Sequence, residues 1–323
     1  MCGKETFKMY NTPFDENYHS ELDGSDLCDV EGISKFKSLI GSANWIITLG
    51  RFDIAYAVST LSRYSMAPRL GHFTAMERVF GYLRKHYAGH IVIDHQVAPI
   101  REKAQFNLGM DWIEFYPDAT EDLPYDMPHP AGSKAMLTCY VDADHARDKV
   151  TCRSVTGIIL LINNTPVLWT SKRQKTVETS TDGSELVAAR IAVDLLIEMR
   201  YKLRMLGINV EYSSVLVGDN MAVVINTTLP SSALKKKHQA CNYHRVREAI
   251  AAKILIFGYI DTSTNLADVC TKPLGATLFH GLLKQYMFRC PKFIGETVPK
   301  EELSPSQVHF ASTVAKALCN ITY

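Results

Sequence analysis

Between residues 135 and 275 the apolar runs and turn signals follow an order that few folds accommodate. Three strand-like runs come first, at 135–141, 154–162 and 166–171, with Asn163-Asn164 marking a turn between the last two. A long helical pattern follows at 182–206, with Leu186, Ala189, Val193, Leu196, Ile197 and Met205 on one stripe and Gly207 as its stop. Then come a short apolar strand at 215–217, a short helix at 221–226, a helix at 240–253, a strand at 254–260 and a last helix opening at Asn265. Three hairpin-linked strands followed by helix–strand–helix–strand–helix imply a mixed five-stranded sheet flanked by helices.

Four acidic residues occupy telling places in that order. Asp142 and Asp219 lie at the ends of apolar strands, and Glu185 and Asp268 lie near the starts of helical runs. Each has a local alternative: an Asx-turn for Asp142, a helix-dipole partner for Glu185, a cap for nearby Asp182. Together, at one sheet edge, they form a candidate site for divalent metal and phosphodiester hydrolysis. Magnesium prefers hard oxygen ligands, and two such ions serve both the attacking water and the leaving oxygen.

Upstream, apolar residues recur at helical spacing: Ile33, Phe36, Leu39, Ile40 and Ala43, then Ile54, Ala57, Val58 and Leu61, then Phe73, Met76, Val79, Phe80 and Leu83. Pro68 separates the second and third stripes. Residues 91–97 form a strand candidate. Residues 98–135 hold five prolines, and from Asp111 to Asp126 six acidic residues with no basic one. This stretch reads as a connector holding a domain boundary.

The 323 residues are 46% hydrophobic and 21% charged with a net charge of +1, which excludes global disorder and leaves the partner class open. Residues 136–273 are mildly basic, with 17 Lys and Arg against 13 Asp and Glu. The eight cysteines include no Cys-x-x-Cys pair, which argues against a zinc ribbon and for reduced thiols in an intracellular protein. The opening Met-Cys-Gly-Lys-Glu-Thr lacks the features of a signal peptide, and no uncharged apolar run is long enough to cross a bilayer.

Several linked stretches carry a family likeness. They are Tyr-Val-Asp-Ala-Asp-His-Ala (140–146), Arg-Ser-Val-Thr-Gly (153–157), Trp-Thr-Ser-Lys-Arg-Gln-Lys-Thr-Val (169–177), Asp219-Asn220, Tyr243-His244-x-Val246-Arg247-Glu248, and Leu266-Ala267-Asp268-x-x-Thr271-Lys272-Pro273-Leu274. In this order they resemble the ribonuclease H domain at the end of copia-type (Ty1/copia) LTR retrotransposon polyproteins. Upstream, Phe-Lys-Ser-Leu-Ile-Gly-Ser (36–42), Asp-Ile-Ala-Tyr-Ala-Val (53–58) and Arg78-Val79-x-x-Tyr82-Leu83 resemble the end of the same polyprotein's reverse transcriptase.

The resemblance implies a ribonuclease H-like fold preceded by a mainly helical, partial thumb and connection region. The expected divisions are a lead-in at 1–30, that partial region at 31–97, the connector at 98–135, a ribonuclease H-like domain at 136–280 and a tail at 281–323, where 306–318 is a helix candidate. It implies Mg²⁺-dependent endonucleolytic cleavage of the RNA strand of RNA/DNA hybrids, with two ions held by Asp142, Glu185, Asp219 and Asp268 and Mn²⁺ as a substitute. The expected partners are the hybrid and the rest of a retroelement polyprotein, with no membrane. The expected place is the cytoplasm, within a virus-like particle for an active element, with the nucleus as the alternative.

Hybrid contacts are expected through phosphates, from Lys172, Arg173, Lys175, Lys235, Lys236, Lys237 and His238. The alternative for these charges is a solvated face, and for the whole chain an inactive remnant that binds nucleic acid without cleaving it. Two departures stand out. Asp182-Gly183-Ser184-Glu185-Leu186 keeps only the glutamate of the family's usual Thr-Glu-Ala-Glu-Tyr. The loop 261–264 carries no histidine, where bacterial and retroviral ribonucleases H place one. The polymerase's Tyr-x-Asp-Asp strand does not occur in the chain, so no polymerase activity is expected.

Overall fold

Asp29 starts the first helix, α1 (Val30–Thr48), by accepting a hydrogen bond from the Gly32 amide at 2.7 Å. The computed structural model describes residues 8–210, 212–234 and 236–288; Phe293-Ile294 and the helix candidate at 306–318 lie outside the described residues. The chain forms two units. One is Met1–Val92 together with Lys272–Tyr323, and the other is Ile93–Thr271.

In the first unit the three apolar stripes become α1, α2 (Ala55–Ser62) and α3 (Leu70–Lys85). Phe36, Leu39, Ile40, Ala43 and Ile46 form the buried face of α1, and Met76, Val79, Phe80, Tyr82 and Leu83 that of α3. At their centre lies a buried ion pair. Arg51 Nε and Nη2 donate to the two Asp53 carboxylate oxygens at 3.0 and 2.9 Å, and both side chains are fully buried. Arg51 Nη1 donates to the His86 carbonyl at 2.9 Å, and the Tyr82 hydroxyl donates to Asp53 at 2.5 Å. Burial works against the Arg51 charge, but the adjoining Asp53 carboxylate more than offsets it and keeps the guanidinium protonated.

The strand candidate at 91–97 is shorter than its apolar residues suggest. Only β1 (His90–Ile91) forms, antiparallel to Met287–Phe288. Asp94 diverts the chain beyond it: its amide donates to Thr165 Oγ1, while its carboxylate accepts from the Gln96 amide and Asn164. The helix Ala276–Leu283 returns to the first unit, where Phe279 meets Tyr82 edge to face at 5.9 Å.

The second unit contains α4 (Ile100–Lys103), β2 (Gln105–Phe106), β3 (Leu137–Asp144), β4 (Val155–Ile162), β5 (Thr165–Arg173), α5 (Thr181–Met205), β6 (Ser214–Gly218), α6 (Met221–Thr228), α7 (Ala240–Ala251) and β7 (Leu255–Tyr259). The sheet order is β2-β7-β6-β3-β4-β5. Strands β3, β4 and β5 are antiparallel neighbours, while β6 lies parallel to β3 and β7 parallel to β6. The five expected strands in this order, with helices over the sheet, give the ribonuclease H-like fold. The sixth strand, β2, comes from the connector and pairs antiparallel with β7. Asn163, at φ 55°, makes the expected hairpin turn, and Gly207, at φ 72°, ends α5. Leu137, Cys139, Val141 and Ala143 of β3 join Val193 and Leu196 of α5 in the main core.

The last expected helix takes a different form. After Asn265 the chain makes a five-residue 3₁₀ turn, Leu266–Cys270, and the regular helix waits until Ala276. Pro273 explains the break, because it lacks an amide proton and disfavours helical geometry at the residue before it.

The proline-rich acidic stretch packs along the second unit. Asn107 Nδ2 donates to Thr228 Oγ1 at 2.8 Å. The Arg247 guanidinium lies 4.7 Å from the Trp112 ring centre and 5.8 Å from that of Tyr116. It also donates to the carbonyls of Asn226, Leu229 and Pro230. Glu121 pairs with Arg200 and Arg204, and Ala131 bridges to Ile208.

Burial alone would raise the Glu121 pKa, but the two guanidiniums outweigh burial and pull it down to about 2. A depressed carboxylate adds stability that is complete above its ordinary range and lost as pH falls through its folded value. The Glu121 contribution should therefore be lost between about pH 4.5 and pH 2. Glu121→Gln is expected to destabilise the second unit by about 1–3 kcal/mol at neutral pH and to remove that part of the acid dependence. Urea melts of both chains across this range check it.

Candidate metal centre

Three elements deliver the acidic side chains. Asp142 lies on β3 directly opposite Gly157 of β4. Glu185 is the fifth residue of α5. Asp219 follows the last residue of β6, and Asn220 then caps α6 through the Val223 amide at 3.1 Å. One carboxylate oxygen from each of Asp142, Glu185 and Asp219 lies within 4.8 Å of the others. Asp142 and Glu185 are buried, and Asp219 is half-buried.

Buried polar contacts hold these elements in register. Gln174 Nε2 donates to Thr156 Oγ1 and to the Ser184 carbonyl, both at 2.9 Å, linking β4 to the start of α5. Asn220 Nδ2 donates to Asp182 at 3.1 Å, tying the start of α6 to that of α5. Asp182 is thus a bridge, and Ser180 is the helix cap. Asn265 Nδ2 donates to the Val141 carbonyl at 3.0 Å, next to Asp142.

The fourth expected ligand, Asp268, is not among those three. It is fully buried on the 3₁₀ turn. Its segment reaches the site through Thr271, whose hydroxyl donates to Asp142 Oδ2. Thr271 and Gln174 sit inside motifs readable in the sequence, but nothing in the motif pattern marks them as contacts of the acidic cluster. His145 is a further neighbour. It follows β3, and its Nδ1 lies 3.3 Å from the Ser184 hydroxyl, one residue before Glu185.

The expected phosphate-binding residues divide. Lys172, Lys175 and Lys237 are exposed. Arg173 is engaged internally, with Nη1 2.8 Å from the buried Asp148 carboxylate. Lys236 donates to Ser180 Oγ, and His238 lies 3.6 Å from Glu178. Lys235 lies outside the described residues.

Two ionised carboxylates about 5 Å apart repel by about 3 kcal/mol at the effective dielectric of a protein surface. The donor set is all oxygen and anionic, with Asp219 half-buried, which fits a hard divalent cation.

No family model matches the chain. Curated relatives do. The "Retrovirus-related Pol polyprotein from transposon RE2" of Arabidopsis thaliana is 26% identical over 252 residues, or 78% of this chain. That from transposon RE1 of the same plant is 27% identical over 249 residues, or 76%. The chain's homologues are Ty1/copia-type Pol polyproteins. It spans 15% and 14% of the lengths of these two. Among solved structures, the ribonuclease H1 named LC11, in complex with an RNA/DNA hybrid, is 15% identical and covers 42% of this chain and 93% of its own, with a TM-score of 0.34. The N-terminal ribonuclease H domain of a Mycobacterium tuberculosis protein is 9% identical and covers 46% and 97%, with a TM-score of 0.33. Among the described residues, no helix is long and apolar enough to cross a membrane.

Proposed function

We propose that the second unit is a divalent-metal-dependent ribonuclease H that cleaves the RNA strand of RNA/DNA hybrids internally, leaving 3′-hydroxyl and 5′-phosphate ends. The observation that carries this reading is the convergence of Asp142, Glu185 and Asp219 within 4.8 Å. Relatedness to Pol polyproteins gives the nuclease a retroelement setting. A pair of Mg²⁺ ions, when bound, makes the attacking water more basic and neutralises the leaving oxygen.

The protein's own part is to hold and orient. Asp142 and Glu185 supply buried oxygens and Asp219 a half-buried one. Lys172, Lys175, Lys236, Lys237 and His238 supply phosphate contacts along the backbone, and Arg173 contributes its charge from the Asp148 pair. Such contacts position a duplex without reading its bases. Asp268 completes the acidic set as the fourth proposed ligand.

The test uses the full chain and an end-labelled RNA/DNA hybrid with and without Mg²⁺, beside Asp219→Asn and Asp268→Asn. Cleavage only with metal, and a loss of about 10³-fold for Asp219→Asn, is expected; that loss corresponds to about 4 kcal/mol of barrier. Absence of metal-dependent product from the unmutated chain overturns the enzyme reading in favour of a binding remnant. Equal rates for the unmutated and Asp219→Asn chains overturn the site assignment, and an unchanged rate for Asp268→Asn removes that residue from it.

A further inference from the structure

We infer that Thr271 is a positioning residue of the metal centre. Its hydroxyl donates to Asp142 Oδ2, and this bond fixes the rotation of the Asp142 carboxylate so that its other oxygen is aimed at the cation. The inference rests on the proposed function and deepens it.

Three features build the contact. First, the geometry is specific: Thr271 Oγ1 touches Asp142 Oδ2, and both side chains are buried. The Asp268 carbonyl lies 3.3 Å from the same hydroxyl, so the one hydroxyl proton has two acceptors. An ionised carboxylate forms the stronger bond, which directs the proton to Asp142.

Second, the neighbouring strand is cut away to admit Thr271. Gly157 is the β4 partner of Asp142. A Cβ at Gly157 would lie 2.5 Å from Thr271 Cγ2 and 2.8 Å from the Ala267 carbonyl oxygen. Glycine at this position lets the 3₁₀ turn settle against the strand pair.

Third, the turn is anchored from its other end. Asn265 is fully buried, donates to the Val141 carbonyl at 3.0 Å and caps the turn through the Ala267 amide at 3.2 Å. Asn265 and Thr271 thus grip β3 at consecutive residues, Val141 and Asp142.

A carboxylate that rotates must be ordered when the cation binds. A neutral donor on one oxygen removes that cost without adding charge to a site that already repels itself. Partners behind a metal ligand typically change affinity by about 10–100-fold when removed.

The test compares the unmutated full chain with Thr271→Val and Thr271→Ser. Valine keeps the shape and removes the hydroxyl; serine keeps the hydroxyl and removes the methyl. Mn²⁺ binding is measured by titration calorimetry and by the loss of the free-ion paramagnetic resonance signal, and the Mg²⁺ concentration for half-maximal cleavage is read separately. About 10–100-fold weaker Mn²⁺ binding and a matching rise in the Mg²⁺ requirement are expected for Thr271→Val, with near-normal values for Thr271→Ser. Unchanged Mn²⁺ affinity in Thr271→Val overturns the inference while leaving the nuclease reading intact. Equal losses in both variants also overturn it, because the hydroxyl retained in Thr271→Ser then gives no rescue. An unmutated chain that neither binds Mn²⁺ nor cleaves overturns the nuclease reading itself.

Discussion

Without divalent cations, the Asp219→Asn chain is expected to be more stable than the unmutated one. Three carboxylates within 4.8 Å repel in the metal-free protein, and neutralising one removes two of the three pairs. Each pair is worth about 3 kcal/mol at an effective dielectric of 20, reduced by solvent around the half-buried Asp219, so a net gain of about 1–3 kcal/mol is expected. The order should invert on adding Mg²⁺. A ligand that binds only the folded state stabilises it by about 2.7 kcal/mol at a hundred times its dissociation constant, and the variant should gain little of this. Melts in chelator and in excess Mg²⁺ should therefore cross. Parallel shifts in the two chains would show that these carboxylates do not share a cation.

The second large effect lies in the first unit. Asp53→Ala should destabilise it by about 3–5 kcal/mol, because Arg51 is left charged with no carboxylate in a fully buried place. Tyr82 would lose its acceptor as well. Replacing the pair together, Arg51→Met with Asp53→Leu, should cost much less, since a matched apolar pair avoids the orphaned charge. Chemical denaturation of the single and double variants separates these outcomes. A double variant as unstable as the single one would show that the pair's geometry, rather than its charge balance, holds the helices together.

The parts of the protein that sequence makes legible are those set by neighbours along the chain. The stripes of α1, α2, α3 and α5 are periodic over several turns, and their buried faces match. Asp142, Glu185 and Asp219 sit near the ends of regular elements, so their convergence follows from the sheet order. Thr271 was hidden because its role depends on a missing side chain at Gly157, more than a hundred residues away. The two residues of β2 are too few to show alternation. The packing of residues 93–135 was hidden for a related reason. Proline and acidic runs read as a linker, and only the distant Arg247, Arg200 and Arg204 reveal what Trp112, Tyr116 and Glu121 are for.

The interrupted course of the first unit has a consequence for synthesis. Its chain stops at Val92 and resumes at Lys272. A ribosome making about 5–20 residues per second would add the roughly 180 residues between them in about 10–40 seconds. During that interval Tyr82 has no Phe279 to meet, and β1 has no partner at Met287–Phe288. The second unit, though later in the message, has all of its strands in hand first. Chains released with Thr271 as their last residue should thus carry a protease-resistant second unit beside a first unit that is still being cut.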